Sequence, residues 1–265
     1  MIKVVVAGAV GKMGQESCKA VVQAEGMQLV GAVDSRESGS AIGTYIGKPD
    51  INVAISNDLE QVFREVQPDV LVDFTRPGVV QGHIELALQA GVRPVVGTTG
   101  MNAGEIERFV QMASDKKIGG LIVPNFAIGA LLMIKFATEA AKYFPHVEII
   151  ELHHDQKMDA PSGTAVKTAE SIAAVRGRMS QGMPSEFEKI EGARGGNFEG
   201  MRIHSVRLPG FVAHQEVIFG GIGQTLSIRH DSISRESFMP GLILAVRKVM
   251  ALDRLVYGLE NILFE

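Results

Sequence analysis

The first half of the chain alternates short β-branched segments with segments of helical apolar spacing. Such alternation is typical of a parallel sheet whose strands are joined by helical crossovers. We therefore predict an α/β fold with a Rossmann-type, doubly wound parallel sheet. The strands are predicted within residues 2–7, 27–34, 68–75, 93–100 and 119–124, and the helices at 12–24, 58–66, 78–91 and 103–114.

The pattern changes after Asn125. A polar, glycine-rich segment at 177–200 is interpreted as a mobile loop, and three strands without intervening helices follow it, as in an antiparallel or mixed sheet. This contrast predicts two domains, but sequence position does not decide on which one the last helix packs. Helices are predicted at 128–144, from 164 to about 174 and at 238–252, strands at 147–154, 202–210, 213–221 and 224–231, and a short tail at the end.

Composition argues against several functional classes. A formal net charge of −4 over 265 residues gives no global field that attracts nucleic acid or an anionic membrane. The single cysteine, Cys18, excludes an internal disulfide and fits a reducing compartment, and its position on a predicted helix indicates packing. The apolar run near the N-terminus is too short to cross a membrane and lacks a signal-peptide cleavage pattern. We therefore predict a cytoplasmic protein without a nucleic-acid or membrane partner.

Three glycines lie between the first predicted strand and its helix. Gly8 permits a tight turn, Gly11 lets the backbone approach a pyrophosphate, and Gly14 lets the helix pack closely on the strand. Asp34 follows Gly14 by 20 residues, at the end of the next strand, where a carboxylate can bind ribose hydroxyls. The spacing G-x-x-G-x-x-G is a variant of the usual fingerprint. It predicts a dinucleotide site, with a structural glycine turn as the alternative.

Two further loops follow predicted strands, "VGTTG" at 96–100 and "VPNFAIG" at 123–129. Loops at the carboxyl ends of parallel strands line the ligand crevice of such sheets. On the residues alone, two polar turns explain these segments equally well.

Residues 151–166, "ELHHDQKMDAPSGTAV", hold two adjacent histidines, a lysine and a helix start. Histidine exchanges protons near neutral pH, and the ammonium of Lys157 can swing back towards His153. Ser162 is a candidate N-cap, which leaves the N–H groups of Gly163 and Thr164 to bind an anion such as a carboxylate. The alternative is a surface turn before a capped helix. A metal site is disfavoured, because no carboxylate or cysteine stands at ligand spacing from the histidines.

The segment 151–165 closely resembles the signature of the 4-hydroxy-tetrahydrodipicolinate reductase (dihydrodipicolinate reductase) family of the diaminopimelate and lysine pathway. The resemblance extends along the chain through "VAGAVGKMG", "VDFTRP", "VGTTG", "PNFAIG" and "PGLILAVRKV". It implies a dinucleotide-binding domain at 1–127 and 237–265. It also implies a central α+β domain at 128–236, with an open mixed sheet, that binds the substrate and builds a homotetramer.

The resemblance also implies roles for individual residues. His153 matches the catalytic proton donor or acceptor, Lys157 matches the second proton donor, and no metal is required. The positions that match substrate contacts are His154, Gly163 and Thr164. The positions that match cofactor contacts are Gly8, Ala9, Val10, Gly11, Lys12, Met13, Asp34, Gly97, Thr98, Thr99, Val123, Pro124, Asn125 and Phe126.

The cofactor preference is a separate question. Some relatives have an acidic residue followed directly by arginine after the second strand, whereas here the order is Asp34, Ser35, Arg36. Asp34 favours NADH, because a carboxylate repels a 2′-phosphate. Arg36, Ser35 and Lys12 can all bind that phosphate, and a guanidinium does so in a bidentate way. We therefore expect both NADPH and NADH to work, with NADPH modestly preferred.

The implied reaction reduces a cyclic imine dicarboxylate after loss of its hydroxyl as water.

Three rival classes account for less of the sequence. An aldehyde or semialdehyde dehydrogenase needs a nucleophilic cysteine in the second half, and Cys18 lies in the first. A sugar dehydrogenase of related architecture should have a lysine motif near 96–105, where this chain has no lysine. A non-enzymatic nucleotide sensor explains the glycines but not the His-His-Lys cluster.

Overall fold

The structure is a computed structural model that describes residues 1–177 and 179–264. It divides into two compact units, one formed by Met1–Phe126 with Phe238–Glu265 and the other by Ala127–Ser237. The last long helix therefore belongs to the first unit. Arg178, in the predicted loop, and Glu265, in the predicted first domain, lie outside the described residues.

The first unit is built on a seven-stranded, fully parallel sheet. Its strands are β1 (Ile2–Ala7), β2 (Met27–Val33), β3 (Ile55–Ser56), β4 (Val70–Asp73), β5 (Arg93–Val96), β6 (Gly120–Ile122) and β12 (Leu255–Tyr257). Its helices are α1 (Lys12–Gln23), α2 (Ile42–Ile46), α3 (Leu59–Val66), α4 (Pro77–Ala90), α5 (Ala103–Lys116), α8 (Met239–Lys248) and α9 (Glu260–Leu263). The strand order β12-β6-β5-β4-β1-β2-β3 confirms the predicted Rossmann-type fold class.

Local sequence explains where these elements begin and end. Strand β4 is buried along its whole length, as expected for a central parallel strand covered on both faces. Asp58 caps α3 by accepting a 2.9 Å hydrogen bond from the N–H of Gln61. Asn102 and Glu105 form a reciprocal capping box at the start of α5. Because all strands of this sheet are parallel, the loops after β1, β2, β4, β5 and β6 emerge along one edge.

The second unit contains a five-stranded mixed sheet of order β11-β10-β7-β9-β8, as the strand-rich pattern predicted. The pair β7 and β9 is parallel, and the other neighbours are antiparallel. The strands are β7 (His146–His153), β8 (Gly196–Phe198), β9 (Met201–Arg207), β10 (Ala213–Gly221) and β11 (Gln224–Ser232), and the helices are α6 (Ile128–Ala140) and α7 (Gly163–Arg176). A short 3-10 helix at Arg235–Phe238 follows β11, and a second one at Val249–Ala251 belongs to the first unit.

Helices α6 and α7 pack on one face of this second sheet. On β7 that face carries Val147, Ile149 and Glu151, which are all buried. The opposite face carries partly exposed residues such as Glu148 and Ile150. Since side chains alternate along a strand, His153 lies on the same face as Glu151. A carboxylate in an otherwise apolar row is thereby placed two residues before the predicted proton donor.

Several short elements differ from the predictions. The interpretation of 177–200 as a loop is wrong for Gly196–Phe198, which pairs with β9 as strand β8. The short tail contains β12 and α9, and the patterns did not predict α2 or β3. The strand predicted through His154 ends at His153. Strands of two or three residues are too short to show a two-residue period, which explains why they were missed.

Within the described residues, no helix is long and apolar enough to cross a membrane.

Candidate functional site

The turn after β1 brings backbone atoms unusually close together. Gly8 adopts a left-handed φ of 78°, and a Cβ there would lie 2.5 Å from the carbonyl oxygen of Phe74. A Cβ on Gly14 would lie 2.0 Å from the carbonyl oxygen of Gly8, so helix α1 approaches the turn as only glycine allows. Gly11 occupies the N-cap of α1 and has no side chain to bond the first N–H groups. This helix start therefore has the form of a phosphate-binding cradle.

Asp34 follows β2 and joins the glycine turn. Its carboxylate accepts a 3.0 Å hydrogen bond from the N–H of Val10 and is bonded by the Arg36 guanidinium at 3.0 and 3.3 Å. Burial acts to raise the pKa of Asp34, but hydrogen bonds from Arg36 and Val10 outweigh it, and the pKa is lowered. Asp34 is thus an ionised carboxylate at the edge of the sheet. The Arg36 side chain is 60% exposed beside it.

The loops after β4 and β5 line a pocket in the first unit. Phe74 and Thr75 follow β4 and Gly97–Thr99 follow β5, and Phe74 packs so closely that a Cβ on Gly97 would lie 2.2 Å from its ring. The ring of Phe126 packs against the ring of Phe74 in a tilted arrangement, with the ring centroids 5.6 Å apart. The pocket-lining residues are Met13, Phe74, Thr75, Pro77, Gly97, Thr98 and Thr99.

A buried carboxylate, Asp73, holds the loops that line this pocket. Asp73 is fully buried and accepts hydrogen bonds from the N–H and hydroxyl of Thr75 at 2.9 and 2.7 Å and from the Thr98 hydroxyl at 3.1 Å. Its second oxygen lies 2.7 Å from Nδ1 of His83 on α4. Asp73 therefore fixes two loops and one helix relative to each other.

The predicted cofactor residues all lie at the ends of β1, β2, β5 and β6. Ala9, Val123 and Phe126 are buried, whereas Lys12, Ser35, Thr99 and Pro124 are exposed. The structure thus collects four separate segments at one sheet edge. The predicted set omits Phe74 and Thr75, although the rule on strand ends applies equally to β4.

In the second unit, His153 at the end of β7 is held by Glu151. Its Nδ1 lies 2.5 Å from Oε2 of Glu151, and its side chain is 14% exposed. Glu151 is fully buried and also accepts hydrogen bonds from Arg207 and from the Ser162 N–H. Burial acts to raise the pKa of Glu151, but the hydrogen bonds from His153 and Arg207 outweigh it, and the pKa falls to about 2. An ionised carboxylate can only accept hydrogen bonds, so Nδ1 of His153 carries a proton and donates it to the bond with Glu151. Nε2 takes no part in this bond.

The other predicted residues of this stretch lie in the loop after β7 and at the start of α7. His154 is exposed, and the Lys157 ammonium bonds the Asp159 carboxylate at 2.6 Å instead of turning back to His153. Ser162 caps α7 as predicted, accepting a hydrogen bond from the Ala165 N–H at 3.2 Å. Gly163 and Thr164 are the first residues of α7, and a Cβ on Gly163 would meet no described atom within 4 Å.

His204, His214 and Cys18 have ion-pair or packing contacts in the structure. Among the described residues, no group of three or more His, Cys, Asp or Glu side chains is arranged to hold a metal ion. His204 and His214 bond single carboxylates, Glu148 at 2.8 Å and Asp231 at 2.6 Å. Cys18 is fully buried, and burial raises the pKa of its thiol to about 12, so it packs and does not react.

Sequence reasoning missed Glu151 and Arg207, which touch the predicted proton donor or its partner. A two-residue period along β7 was enough to place Glu151 beside His153. Arg207 lies on β9, 56 residues from Glu151, and carries no local motif.

Comparison with known proteins covers almost the whole chain. Two family models match, dihydrodipicolinate reductase N-terminus over residues 2–126 and its C-terminus over residues 129–263. A 4-hydroxy-tetrahydrodipicolinate reductase from Halalkalibacterium halodurans is 57% identical over 99% of this chain and 100% of its own length. One from Desulfitobacterium hafniense is 56% identical over 99% and 98%.

A solved structure supports the same relationship. Dipicolinate-bound dihydrodipicolinate reductase from Paenisporosarcina sp. TG-14 superposes with a TM-score of 0.90 at 50% identity, over 99% of this chain and 100% of that one. Both halves of the chain, its full length and its fold thus match one family. The chain belongs to the dihydrodipicolinate reductase family.

Proposed function

We propose that His153 and Lys157 supply protons in the reaction of this oxidoreductase. The enzyme reduces 4-hydroxy-tetrahydrodipicolinate to tetrahydrodipicolinate, with loss of water, in diaminopimelate and lysine biosynthesis. The observation that carries the proposal is the bond between Nδ1 of His153 and the buried, ionised carboxylate of Glu151. It selects one tautomer and leaves one nitrogen, Nε2, to exchange a proton with the substrate.

Loss of the hydroxyl as water leaves a conjugated C=C–C=N system in the substrate ring. A nicotinamide cofactor, when bound, would supply a hydride to that system, and the residues of this chain must supply the proton that completes the reduction. His153 supplies it from Nε2 of the doubly protonated ring, which keeps its Nδ1–H on Glu151 and is left as the Nδ1–H tautomer. Lys157, held by Asp159 in the same loop, adds positive charge and a second proton source.

The start of α7 is the proposed grip for a substrate carboxylate. Ser162 bonds the Ala165 N–H, and Gly163 and Thr164 occupy the first turn, where the positive end of the helix dipole favours an anion. His154 is exposed at the adjoining loop and completes the proposed substrate contacts. The dipicolinate-bound relative supports this assignment, because dipicolinate is a planar dicarboxylate.

The first unit is proposed to bind the cofactor, through the glycine turn, Asp34 and the pocket between Met13 and Thr98. Both NADPH and NADH are expected to serve, with NADPH modestly preferred. Support comes from the Asp34–Arg36 pair. Because the guanidinium already neutralises the carboxylate, a 2′-phosphate placed there meets less repulsion and an exposed cation.

Assembly and location are proposals of the same kind. The resemblance implies a homotetramer, and one face of the second sheet, with Ile150 and Ile218, stays partly exposed where α6 and α7 do not cover it. Sedimentation showing only monomer at micromolar concentration would refute this assembly. A cytoplasmic location remains a prediction from the single cysteine.

The proposal is tested with substrate generated in situ by the upstream synthase. Oxidation of NADPH by the parent and by Lys157→Ala is followed at 340 nm, a wavelength at which NADPH but not NADP absorbs. We expect kcat to fall by about two powers of ten in the variant, the usual contribution of a general acid. Dipicolinate should inhibit the parent in competition with the substrate. Near-parent turnover in Lys157→Ala would remove that residue from the mechanism, and inhibition competitive only with NADPH would place the carboxylate grip elsewhere.

A further inference from the structure

The two predicted proton donors and the predicted carboxylate grip are tied to one ion pair, Glu151 with Arg207, whose carboxylate is fully buried. Glu151 uses both carboxylate oxygens: Oε2 accepts from His153 at 2.5 Å and from Nη1 of Arg207 at 2.9 Å, and Oε1 accepts from Nη2 of Arg207 at 2.7 Å. Oε1 also accepts from the backbone N–H of Ser162 at 3.2 Å. Glu151 therefore binds the imidazole and the start of α7 at once.

Arg207 extends this arrangement to the loop that carries Lys157. Its Nη2 donates to the carbonyl oxygen of Asp159 at 2.8 Å, while the side chain of Asp159 binds the Lys157 ammonium at 2.6 Å. The N–H of Leu208, next along the chain, donates to the carbonyl oxygen of His153 at 3.1 Å. One guanidinium thus fixes the carboxylate behind His153 and the residue that holds Lys157.

From these contacts we infer that Glu151 and Arg207 are positioning residues of the reductase, which align His153, Lys157 and the start of α7 as one unit. The inference rests on the proposed function, since it assumes that His153 and Lys157 deliver protons. Neither positioning residue needs to touch the substrate. Their task is to hold the Nδ1–H tautomer of His153 and to fix where the ammonium of Lys157 lies.

The same strand provides a matched control. Glu148, three residues earlier on β7 and on the opposite face, also binds an arginine through two bonds, to Arg194 at 2.6 and 3.3 Å, and a histidine, His204, at 2.8 Å. This second cluster has the same chemistry and similar geometry. It contacts none of the predicted catalytic or substrate residues. A purely structural role for carboxylate–arginine–histidine clusters predicts similar behaviour for both.

The chemistry of glutamine makes the test specific. In Glu151→Gln the single amide oxygen accepts the hydrogen bonds from Arg207 and Ser162. The amide NH2 group then faces Nδ1 of His153. A donor at that place favours the wrong tautomer, with the proton on Nε2. Arg207→Lys keeps the charge but cannot span both carboxylate oxygens and the Asp159 carbonyl.

The experiment compares Glu151→Gln, Arg207→Lys and Glu148→Gln with the parent and with His153→Ala. We expect kcat to fall on the order of 10- to 100-fold in Glu151→Gln, as when the partner that orients a functional imidazole is removed. A smaller loss of about threefold to tenfold is expected in Arg207→Lys, because charge without the forked geometry restores part of the alignment. Glu148→Gln should stay within about twofold of the parent, since it changes no contact of the site.

Nitrogen-15 NMR of the histidines gives a readout that loss of stability does not move. The parent and Glu148→Gln should show His153 protonated at Nδ1, and Glu151→Gln should show it shifted towards Nε2. The inference is overturned if Glu151→Gln and Arg207→Lys keep parental kcat while His153→Ala loses it, or if Glu148→Gln loses as much as Glu151→Gln. Parental turnover in His153→Ala itself would instead overturn the proposed role of His153.

Discussion

In each unit of the molecule, a fully buried carboxylate near the end of a central strand binds Nδ1 of a histidine. In the first unit this is Asp73 with His83, at 2.7 Å, and in the second it is Glu151 with His153, at 2.5 Å. The remaining partners differ. Asp73 is surrounded by the neutral donors of Thr75 and Thr98, whereas Glu151 is paired with a guanidinium.

The difference in partners corresponds to a difference in task. Neutral hydroxyl and amide donors to Asp73 fix the shape of the loops that line the pocket of the first unit, and one imidazole is its remaining partner. Hydrogen bonds from His153 and from the guanidinium of Arg207 hold Glu151 ionised, and an ionised carboxylate fixes a proton on Nδ1 of His153. A carboxylate of the first kind shapes a binding surface, and one of the second kind prepares a proton donor.

The largest effect should come from replacing His153, and the same change at His83 is its matched comparison. We expect His153→Ala to lower kcat by about two or more powers of ten, because it removes a general acid, and to leave NADPH affinity nearly unchanged. The matched variant His83→Ala should keep most of kcat and raise the KM for NADPH, because it loosens the loops around Thr98. Steady-state kinetics and NADPH titration of both variants check this. Equal losses of kcat in the two would erase the distinction between the units.

The second prediction concerns stability at low pH. The pKa of Glu151 in the folded protein is about 2, against an ordinary value of 4.5. A lowered pKa stabilises the fold above the ordinary value, and that contribution is lost as the pH falls from 4.5 towards 2. The loss should amount to about 3 kcal/mol in the free energy of unfolding.

Urea unfolding of the parent and Glu151→Gln between pH 7 and pH 3 measures this contribution. The variant should be less stable at pH 7, and its stability should fall less steeply than that of the parent below pH 5. Parallel pH curves for the two proteins would show that Glu151 titrates normally and would contradict the account of its ion pair.

The smallest effect concerns a carboxylate–arginine pair of the first unit, Asp34 with Arg36, which is exposed on the guanidinium side. Arg36→Ala should weaken NADPH more than NADH, by on the order of 1 kcal/mol, the size of a lost charge-assisted bond to an accessible group. The measurement is kcat/KM for both cofactors in parent and variant. If their ratio does not change, the 2′-phosphate is read by Lys12 or by another residue.

The sequence predicted those parts of the molecule whose cause is local. The glycine turn and the Ser162 cap each depend on a few consecutive residues, and the fold class depends on periodicities that span whole strands and helices. Asp73 lies in the segment "VDFTRP", which resembles the family, but its hydrogen bonds to Thr98 and His83 join residues that are 25 and 10 positions away. Arg207 reaches Glu151 across 56 residues through the parallel pairing of β7 and β9. No local pattern encodes that pairing, so the role of Arg207 emerged only from the structure.

The most direct test of the central claim is a crossed comparison of Glu151→Gln and Asp73→Asn by steady-state kinetics with NADPH and substrate generated in situ. The account predicts opposite outcomes. Glu151→Gln should lose kcat and retain its KM for NADPH, whereas Asp73→Asn should raise the KM for NADPH by about tenfold, the cost of breaking buried hydrogen bonds around Thr98, and lose less of kcat. If both variants change the same kinetic parameter by similar factors, the two buried carboxylates do not have the separate tasks assigned to them.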